Sequence, residues 1–465
     1  MSPVRSVAVL GGGIAAPMAA LALARAYGRL GVAVTWYDTG TLPAPHAALA
    51  APPDLVTFHR LLGLSDAALI DRAAGTLSLG QLYAGWAGDG SGFLHAYGDA
   101  GTPFAGRPFV QHWTRARHAG LGVPLEEFCL AAVAAKQGRI GQPHDPATRQ
   151  AVKHGWHLDA AGYAALLREA CGGAGVRIEP AQHTPPDTDL LVDADGGWSA
   201  AATGAPPRCD RMILGSAERR DPVPLYGRVV AHDAGWTMLT PLGDRLAVAC
   251  HYASAQMDDA GARAAMAEAV GGSVDADTPQ PVEARRQPGW SGNRVTIAEP
   301  DGESATFAAA GLLELQLAIA QLILLWPVDR DAMPEAALYT AELAGTRARI
   351  DDFSAQHFHL ARRTGAFWDA ARAAPVSPAL AAKRDLFAAR GMFAQGDHEA
   401  HVEDGWALCM AGHGIVPRSP DPQAMLVDEQ QLMVEFQRQL RAIAAEVRAM
   451  PTHAQALAQL KEGSA

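Results

Sequence analysis

Within its first twenty residues the chain runs from an apolar stretch, Val7–Leu10, into Gly11-Gly12-Gly13-Ile14-Ala15-Ala16-Pro17-Met18-Ala19-Ala20. A strand that ends in a glycine loop and continues as a helix is how a dinucleotide-binding fold begins. The free amides at the helix start face whatever anion sits on the loop. Gly11 permits the tight turn, and Gly13 lets the backbone approach a pyrophosphate. Ala16 stands where a third glycine serves close helix–strand packing. Pro17, early in the helix, forfeits no intrahelical hydrogen bond. The cofactor-binding residues expected here are Gly11, Gly13, Ile14, Ala15 and Ala16. The helix is predicted over 15–27. A second apolar run, Val32–Tyr37, ends at Asp38, an acid placed to accept hydrogen bonds from a ribose at roughly the usual spacing of 20 residues past the glycines.

Bulk properties narrow the remaining options. The chain has 465 residues, 49% hydrophobic and 19% charged, a globular composition with room for two or three lobes. The net charge of −11 speaks against non-specific binding to nucleic acid. Five cysteines are dispersed without a Cys-x-x-Cys pair, as in a cytoplasmic protein with reduced thiols. The N-terminal residues enter a strand without the basic and apolar regions of a leader. Phe307–Trp326 has about the length of a bilayer span but carries Glu314, Gln316 and Gln321, so a buried core helix is expected and no membrane association. No metal site is expected. Asp397–Glu403 lacks two histidines four apart on one helical face, and His357 and His359 cannot share a face of one helix.

The pattern along the chain is α/β. His59–Asp71 reads as helical, and Thr76–Trp86 alternates as a strand. Trp156–Asp159 precedes a helix over 160–171. Val176–Ile178 and Asp189–Asp193 are strand-like, and Trp236–Leu242 and Arg245–Tyr252 form a pair around Gly243-Asp244. Beyond Pro327, helices are predicted over 335–363, 378–389 and 428–450.

Taken in order, these motifs resemble the flavin-dependent halogenases of the tryptophan halogenase family over the whole chain. The opening Gly11–Ala20 resembles the family's Gly-Gly-Gly-x-Ala-Gly-x-Met-Ala-Ala, with Ala16 for the last glycine. His157-Leu158-Asp159-Ala160 with Leu167-Arg168, and Asp193-Ala194-Asp195-Gly196, resemble two central motifs. Gly235-Trp236 with Pro241-Leu242 resembles the Gly-Trp-x-Trp-x-Ile-Pro-Leu strand. Asp351-Asp352-Phe353, His357, Phe367-Trp368, Gly412–Pro417 and Met450–His453 resemble the C-terminal signatures. The resemblance implies a flavoprotein monooxygenase-like, Rossmann-type fold. Residues 1–330 would form the FAD-binding module, with a mixed substrate-binding sheet interleaved at about 85–285, and 331–465 a helical region. It further implies FAD, reduced by a separate flavin reductase, and an aromatic, indole-like or peptide substrate. Homodimer formation is an open alternative.

The same resemblance exposes departures. The family's lysine, in Ala-Thr-Phe-Lys-Leu-Gly, becomes Ser78 in Gly75–Gly80. Its glutamate and the serine that follows become Ala308 and Ala309, neither able to exchange a proton. Glu314 is the nearest acid, as a displaced catalytic group or as a structural helix residue. The glycines of the family's flavin-contacting loop are replaced within Pro45–Ala48. Ala298–Gly302 replaces a small-residue turn, where Glu299 would repel flavin or halide and Asp301 could accept from a ribitol hydroxyl. The second tryptophan and the isoleucine of the separating strand become Met238 and Thr240. Two functions follow as expectations: a flavin-dependent oxidoreductase with oxygenase- or oxidase-like chemistry, or a catalytically inactive halogenase fold that acts as a binding partner.

Overall fold

Strand β1 (Ser6–Leu10) is apolar and buried from Val7 to Leu10 because it is central in a sheet covered on both faces. It pairs in parallel with β2 (Ala33–Asp38) on one side and with Leu190–Asp193 on the other. Arg177–Pro180 extends the sheet beyond β2, and Arg294–Thr296 and Gly289–Ser291 extend the opposite edge. Between β1 and β2 runs helix α1 (Ala15–Tyr27), buried from Ala15 to Ala24. Its alanines allow the close approach to the sheet that the glycine loop begins. The computed structural model describes residues 2–463 apart from 146–147, 149, 183, 197–207, 283, 285–286, 298, 300–303 and 395.

A second sheet of eight strands carries Asp275–Ala276, Arg211–Glu218, Arg245–Tyr252, Gly235–Pro241, Gly227–His232, Gly80–Ala84 and Gly92–Ala96 in that order, with Gln280–Pro281 on Arg211–Glu218. All its pairs are antiparallel except Gly227–His232 with Gly80–Ala84. Three short strands, Ala48–Ala51, Gly155–Asp159 and Thr76–Ser78, form a third sheet. The α/β class, the helix over 15–27 and the pair flanking Gly243-Asp244 are as expected from sequence.

Two expectations need correction. Thr76–Trp86 is two strands in two sheets, Thr76–Ser78 and Gly80–Ala84. The chain crosses between them near Gly80, where φ is +150° and an added Cβ would lie 2.2 Å from the carbonyl oxygen of His95. The alternation of Leu77 and Leu79 breaks at Gly80-Gln81-Leu82, a break that fits a bulge as well as a change of sheet. The stretch 59–71 is likewise two helices, Asp54–Leu62 and Asp66–Arg72, separated at Gly63 with φ +78°.

The C-terminal helices are Glu335–Leu360, Ala366–Ala373, Pro378–Arg390, Glu403–Gly412, Glu429–Ala449 and His453–Gly463. The apolar segment Thr306–Leu324 is long enough to cross a membrane, yet 67% of its most apolar window is buried within the protein. It packs as a core helix, Ala310–Leu324, joined to the same hydrophobic core as α1.

Candidate cofactor and active site

The glycine loop is held by its own backbone. Gly11 (φ +140°) donates to the carbonyl of Tyr37, and Gly13 (φ +57°) donates to that of Thr41 at 2.8 Å. Trp36 Nε1 donates to the carbonyl of Gly11 at 2.7 Å. A Cβ on Gly12 would lie 2.3 Å from the carbonyl oxygen of Thr41, so this position tolerates no side chain. The amides of Gly12, Ile14 and Ala15 turn to side-chain acceptors.

Those acceptors are carboxylates. Ile14 N donates to both oxygens of Glu299 at 3.1 Å, and Ala15 N to its Oε1 at 2.9 Å. Gly12 N reaches Asp195 Oδ1 at 3.4 Å, while Thr39 Oγ1 donates to Asp195 Oδ2 at 2.7 Å. Asp195 follows the strand Leu190–Asp193, and Glu299 follows Arg294–Thr296, the next strand outward. Asp195 thus emerges from the strand next to β1 and Glu299 from the one beyond it, both at the sheet edge where the loop receives a pyrophosphate in dinucleotide folds. The carboxylate oxygens stand in for phosphate oxygens, so the cradle is built for an anion. Glu299, expected to repel a bound flavin or halide, occupies the helix terminus itself, and a phosphate could enter only if it withdrew. Ala298 and Asp301 of the same turn lie outside the described residues.

Asp38 ends β2 as anticipated. Its Oδ1 accepts from Gly40 N at 2.9 Å, and its Oδ2 pairs with Arg168. The Arg168 guanidinium lies 5.0 Å over the ring of Trp36. Asp38 and Arg168, the arginine of the Leu-Arg motif, therefore form one polar edge that the sequence treats as two features. Ala16 lies fully buried in α1, with its Cβ 3.1 Å from where a Cβ on Gly11 would stand.

From the loop a cavity of about 370 Å³ extends past His46, Ala47 and Ala48 to Met238, Thr240, His251, Thr306 and Leu312. His46 holds φ +60°, so the backbone keeps a left-handed residue although the glycines are gone. At the far end the ring of His251 stacks on Trp236 with centroids 5.0 Å apart, and its Nε2 meets Thr306 Oγ1 at 3.4 Å. Burial pushes its pKa down to about 4, so the ring is neutral at pH 7. His251 carries no sequence signature. Its alternation with Trp236 across the strand pair brings it to the cavity, and only the register reveals it.

Ser78, Ala308 and Ala309, the residues the family resemblance aligns with its lysine, glutamate and serine, are all buried. Ser78 is buried, with its hydroxyl directed at the backbone of Gly80. Ala308 and Ala309 adopt φ +50° and +59°, a left-handed kink ahead of helix Ala310–Leu324. Gln81 braces the kink: its Nε2 donates to Thr306 O at 2.8 Å, and its Oε1 accepts from Ala308 N at 2.6 Å. Glu314 is buried against Arg347, with Oε1 to Nη1 at 3.2 Å, in an ion pair between helices. That assigns Glu314 a structural place. In the Asp397–Glu403 segment, Glu399 pairs with Lys383, His398 with Glu342 at 3.1 Å, and His401 packs on Phe353. These side chains point to separate partners.

Comparison with known proteins agrees with this architecture. A family model described as tryptophan halogenase matches residues 6–191 and 204–429. The tryptophan 6-halogenase SttH of Streptomyces toxytricini is 23% identical, over 81% of this chain and 82% of its own. Among solved structures, BrvH, a flavin-dependent halogenase from Brevundimonas sp. BAL3, superposes with a TM-score of 0.89 at 28% identity, covering 98% of this chain and 99% of its own. Xcc4156, a flavin-dependent halogenase from Xanthomonas campestris, superposes at 0.90 with 25% identity, covering 98% of each. With the family's motifs in order and its fold matched from end to end, the chain belongs to the tryptophan halogenase family.

Proposed function

We propose that this protein is a flavin-dependent oxidoreductase whose chemistry is oxidase- or oxygenase-like rather than halogenating. One observation carries the reading. A cavity joins the glycine loop to a neutral, buried His251, while Ser78 and Ala308 stand where the family has its lysine and glutamate. Reduced FAD bound here, supplied by a separate flavin reductase as the family resemblance implies, would deliver electrons to dioxygen. Gly11, Gly13, Ile14, Ala15 and Ala16 would hold the pyrophosphate, and the Asp38–Arg168 edge the ribose. A hydroxyl at position 78 cannot form the chloramine a lysine can. The methyl group of Ala308 cannot take a proton from an aromatic ring.

The residues at the inner end set what remains. Met238 lines the cavity where the family has a second tryptophan, leaving a flexible side chain in the dividing strand. His251, neutral at pH 7, can accept a proton at Nε2 or share one with Thr306 Oγ1. An aromatic substrate is the family's precedent. We assign the nucleotide module to residues 1–330 and the helical region to 331–465, in a cytoplasmic protein whose five cysteines are all free and buried.

A second reading, an inactive fold kept as a binding partner, is favoured by Glu299 and Asp195 on the anion cradle. One experiment separates the two. FAD, oxidised and reduced, is titrated into purified protein, followed by oxygen consumption with a reductase, with and without bromide. Binding with halide-independent oxygen uptake supports the oxidoreductase. No binding of either form at tens of micromolar supports the inactive fold. Bromide-dependent product from an indole overturns both.

A further inference from the structure

Helices Glu335–Leu360 and Glu403–Gly412 meet beside the second sheet, and three potential metal ligands converge at the contact. His357 Nδ1 and His413 Nε2 are 3.0 Å apart. Cys409 Sγ lies 3.6 Å from His357 Nδ1. One donor atom from each of the three residues lies within 4.8 Å of the others, and all three residues are buried. Cys409 and His413 are separated by one helical turn and so share a face. His357 arrives from the other helix.

The spacing is close to that of a coordination polyhedron. With Zn–N near 2.0–2.1 Å and Zn–S near 2.3 Å, a tetrahedral ion sets N···N at about 3.4 Å and N···S at about 3.6 Å. The two imidazole nitrogens are 3.0 Å apart, a hydrogen-bond distance, and Cys409 Sγ lies 3.6 Å from Nδ1 of His357 and 3.5 Å from its Nε2. The sulfur thus sits over the His357 ring, and an ion requires that ring to turn until one lone pair faces both partners. Aromatic rings frame the cluster: His357 stacks on Tyr83 with centroids 4.1 Å apart, and Phe93 meets His413 edge-on at 4.8 Å. Beside His413 a cavity of about 20 Å³, lined also by Tyr83, Trp86 and Phe93, has room for one water.

We propose that His357, Cys409 and His413 form a binding site for a single thiophilic divalent cation, zinc in the first instance, with water as the fourth ligand. The protonation states suit this. Burial keeps both imidazoles neutral, the form that ligates, with His413 pushed down to about 3. Burial also raises the Cys409 thiol, so the ion must displace its proton to solvent. The resulting thiolate offsets one of the two positive charges. Arg362, which donates to the carbonyl of His413, the neutral His95 and His401, and Tyr83, whose phenol burial keeps protonated, are the neighbouring titratable groups. Nothing in the proposed flavin chemistry uses this cluster, and its test is independent of flavin.

The full-length protein, without an affinity tag, is stripped with a chelator and incubated with zinc or cobalt(II). Unbound metal is removed by gel filtration, and the bound ion is counted by mass spectrometry. One ion per chain is expected, with a thiolate-to-metal charge-transfer band in the cobalt form. Cys409→Ala and His413→Asn are expected to weaken binding by about 100-fold or more and abolish the band. Cys129→Ala, a buried thiol elsewhere, is expected to retain both. If the site variants do not fold, the zinc K-edge absorption spectrum of the wild-type protein, which distinguishes one sulfur and two imidazole neighbours from an all-oxygen or all-nitrogen shell, gives the same answer. Substoichiometric metal in the wild type, a zinc shell without sulfur, or a band that survives Cys409→Ala overturns the proposal.

Discussion

The carboxylate of Glu299 sits 2.9 Å from the amide nitrogen of Ala15, on the terminus of the helix that opens the nucleotide site. The helix dipole and the free amides favour negative charge there, by about 0.3–1 kcal/mol at an exposed terminus and more when partly buried. A cofactor phosphate must therefore displace a residue of the chain rather than water. The interaction links residues separated by 284 positions in sequence, and it makes Glu299 a competitor for the cofactor.

Glu299→Gln is expected to tighten FAD binding by about tenfold, because the glutamine occupies the amides less well and removes a charge from beside the phosphates. Titration monitored by flavin fluorescence measures this. An unchanged dissociation constant would mean that the carboxylate leaves the terminus at no cost.

Gly12→Ala is expected to act in the opposite direction. The new Cβ meets the Thr41 carbonyl at 2.3 Å, so either the loop or the 39–41 segment must move. A loss of about 1–3 kcal/mol in folding stability is expected from the overpacking, with FAD affinity reduced beyond detection at tens of micromolar. Denaturant unfolding and the same fluorescence titration check the two effects. Wild-type affinity in Gly12→Ala would show that the cofactor does not use this cradle.

The glycine loop, α1 and β2 were legible because each follows from local rules: glycine turn, apolar run, helix start. The eight-stranded sheet was legible only in pieces. The change of sheet is marked only by Gly80 and the break at Gln81-Leu82, a signal that fits a bulge within one strand equally well. At the site, the positions Ser78 and Ala308 could be read from the family's motifs. The charge of Glu299 is visible in the sequence, but its hydrogen bonds to residues 14 and 15 depend on strand order. The sequence carries no sign of His251 or of the His357–Cys409–His413 cluster. Their members come from different elements, and single-helix spacing rules do not reach across a tertiary contact.

Glu314 offers a direct comparison of structural and catalytic roles. Its ion pair with Arg347 is buried on both sides. Glu314→Gln is expected to cost about 3 kcal/mol, because the arginine charge loses its main partner in a site with little water. The double substitution Glu314→Leu with Arg347→Met is expected to recover most of that loss. Chemical denaturation of the three proteins tests this. If Glu314→Gln left stability intact and changed only turnover, a displaced catalytic acid would be the better description.

Acid should destabilise the fold earlier than a typical carboxylate-driven transition. His59 and His251 are pushed down to about 4, and His157 and His401 to about 3, each with burial as the main cause. In the unfolded chain these rings titrate near 6.5. Below that pH the unfolded state binds protons that the folded state refuses, so stability is complete above about 6.5 and falls as pH drops towards 4. Each ring contributes a slope approaching about 1.4 kcal/mol per pH unit in that window. Asp404, raised to about 6, works in the opposite sense: its protonated form is favoured by the fold, so it loses stability as pH rises from about 4 to 6. Together with His95 and His232, pushed down to about 4, and His413, pushed down to about 3, these rings outweigh Asp404 and the raised Asp352 and leave a net loss on acidification. Urea midpoints at pH 7.5 and pH 5.5 are expected to differ by several kcal/mol in unfolding free energy, with the lower value at pH 5.5. Replacing His59, whose Nε2 meets the Tyr163 hydroxyl at 2.9 Å, by glutamine should flatten the profile by one ring's share. A profile that is flat between those pH values would show that the imidazoles titrate near 6.5 in the folded chain as well.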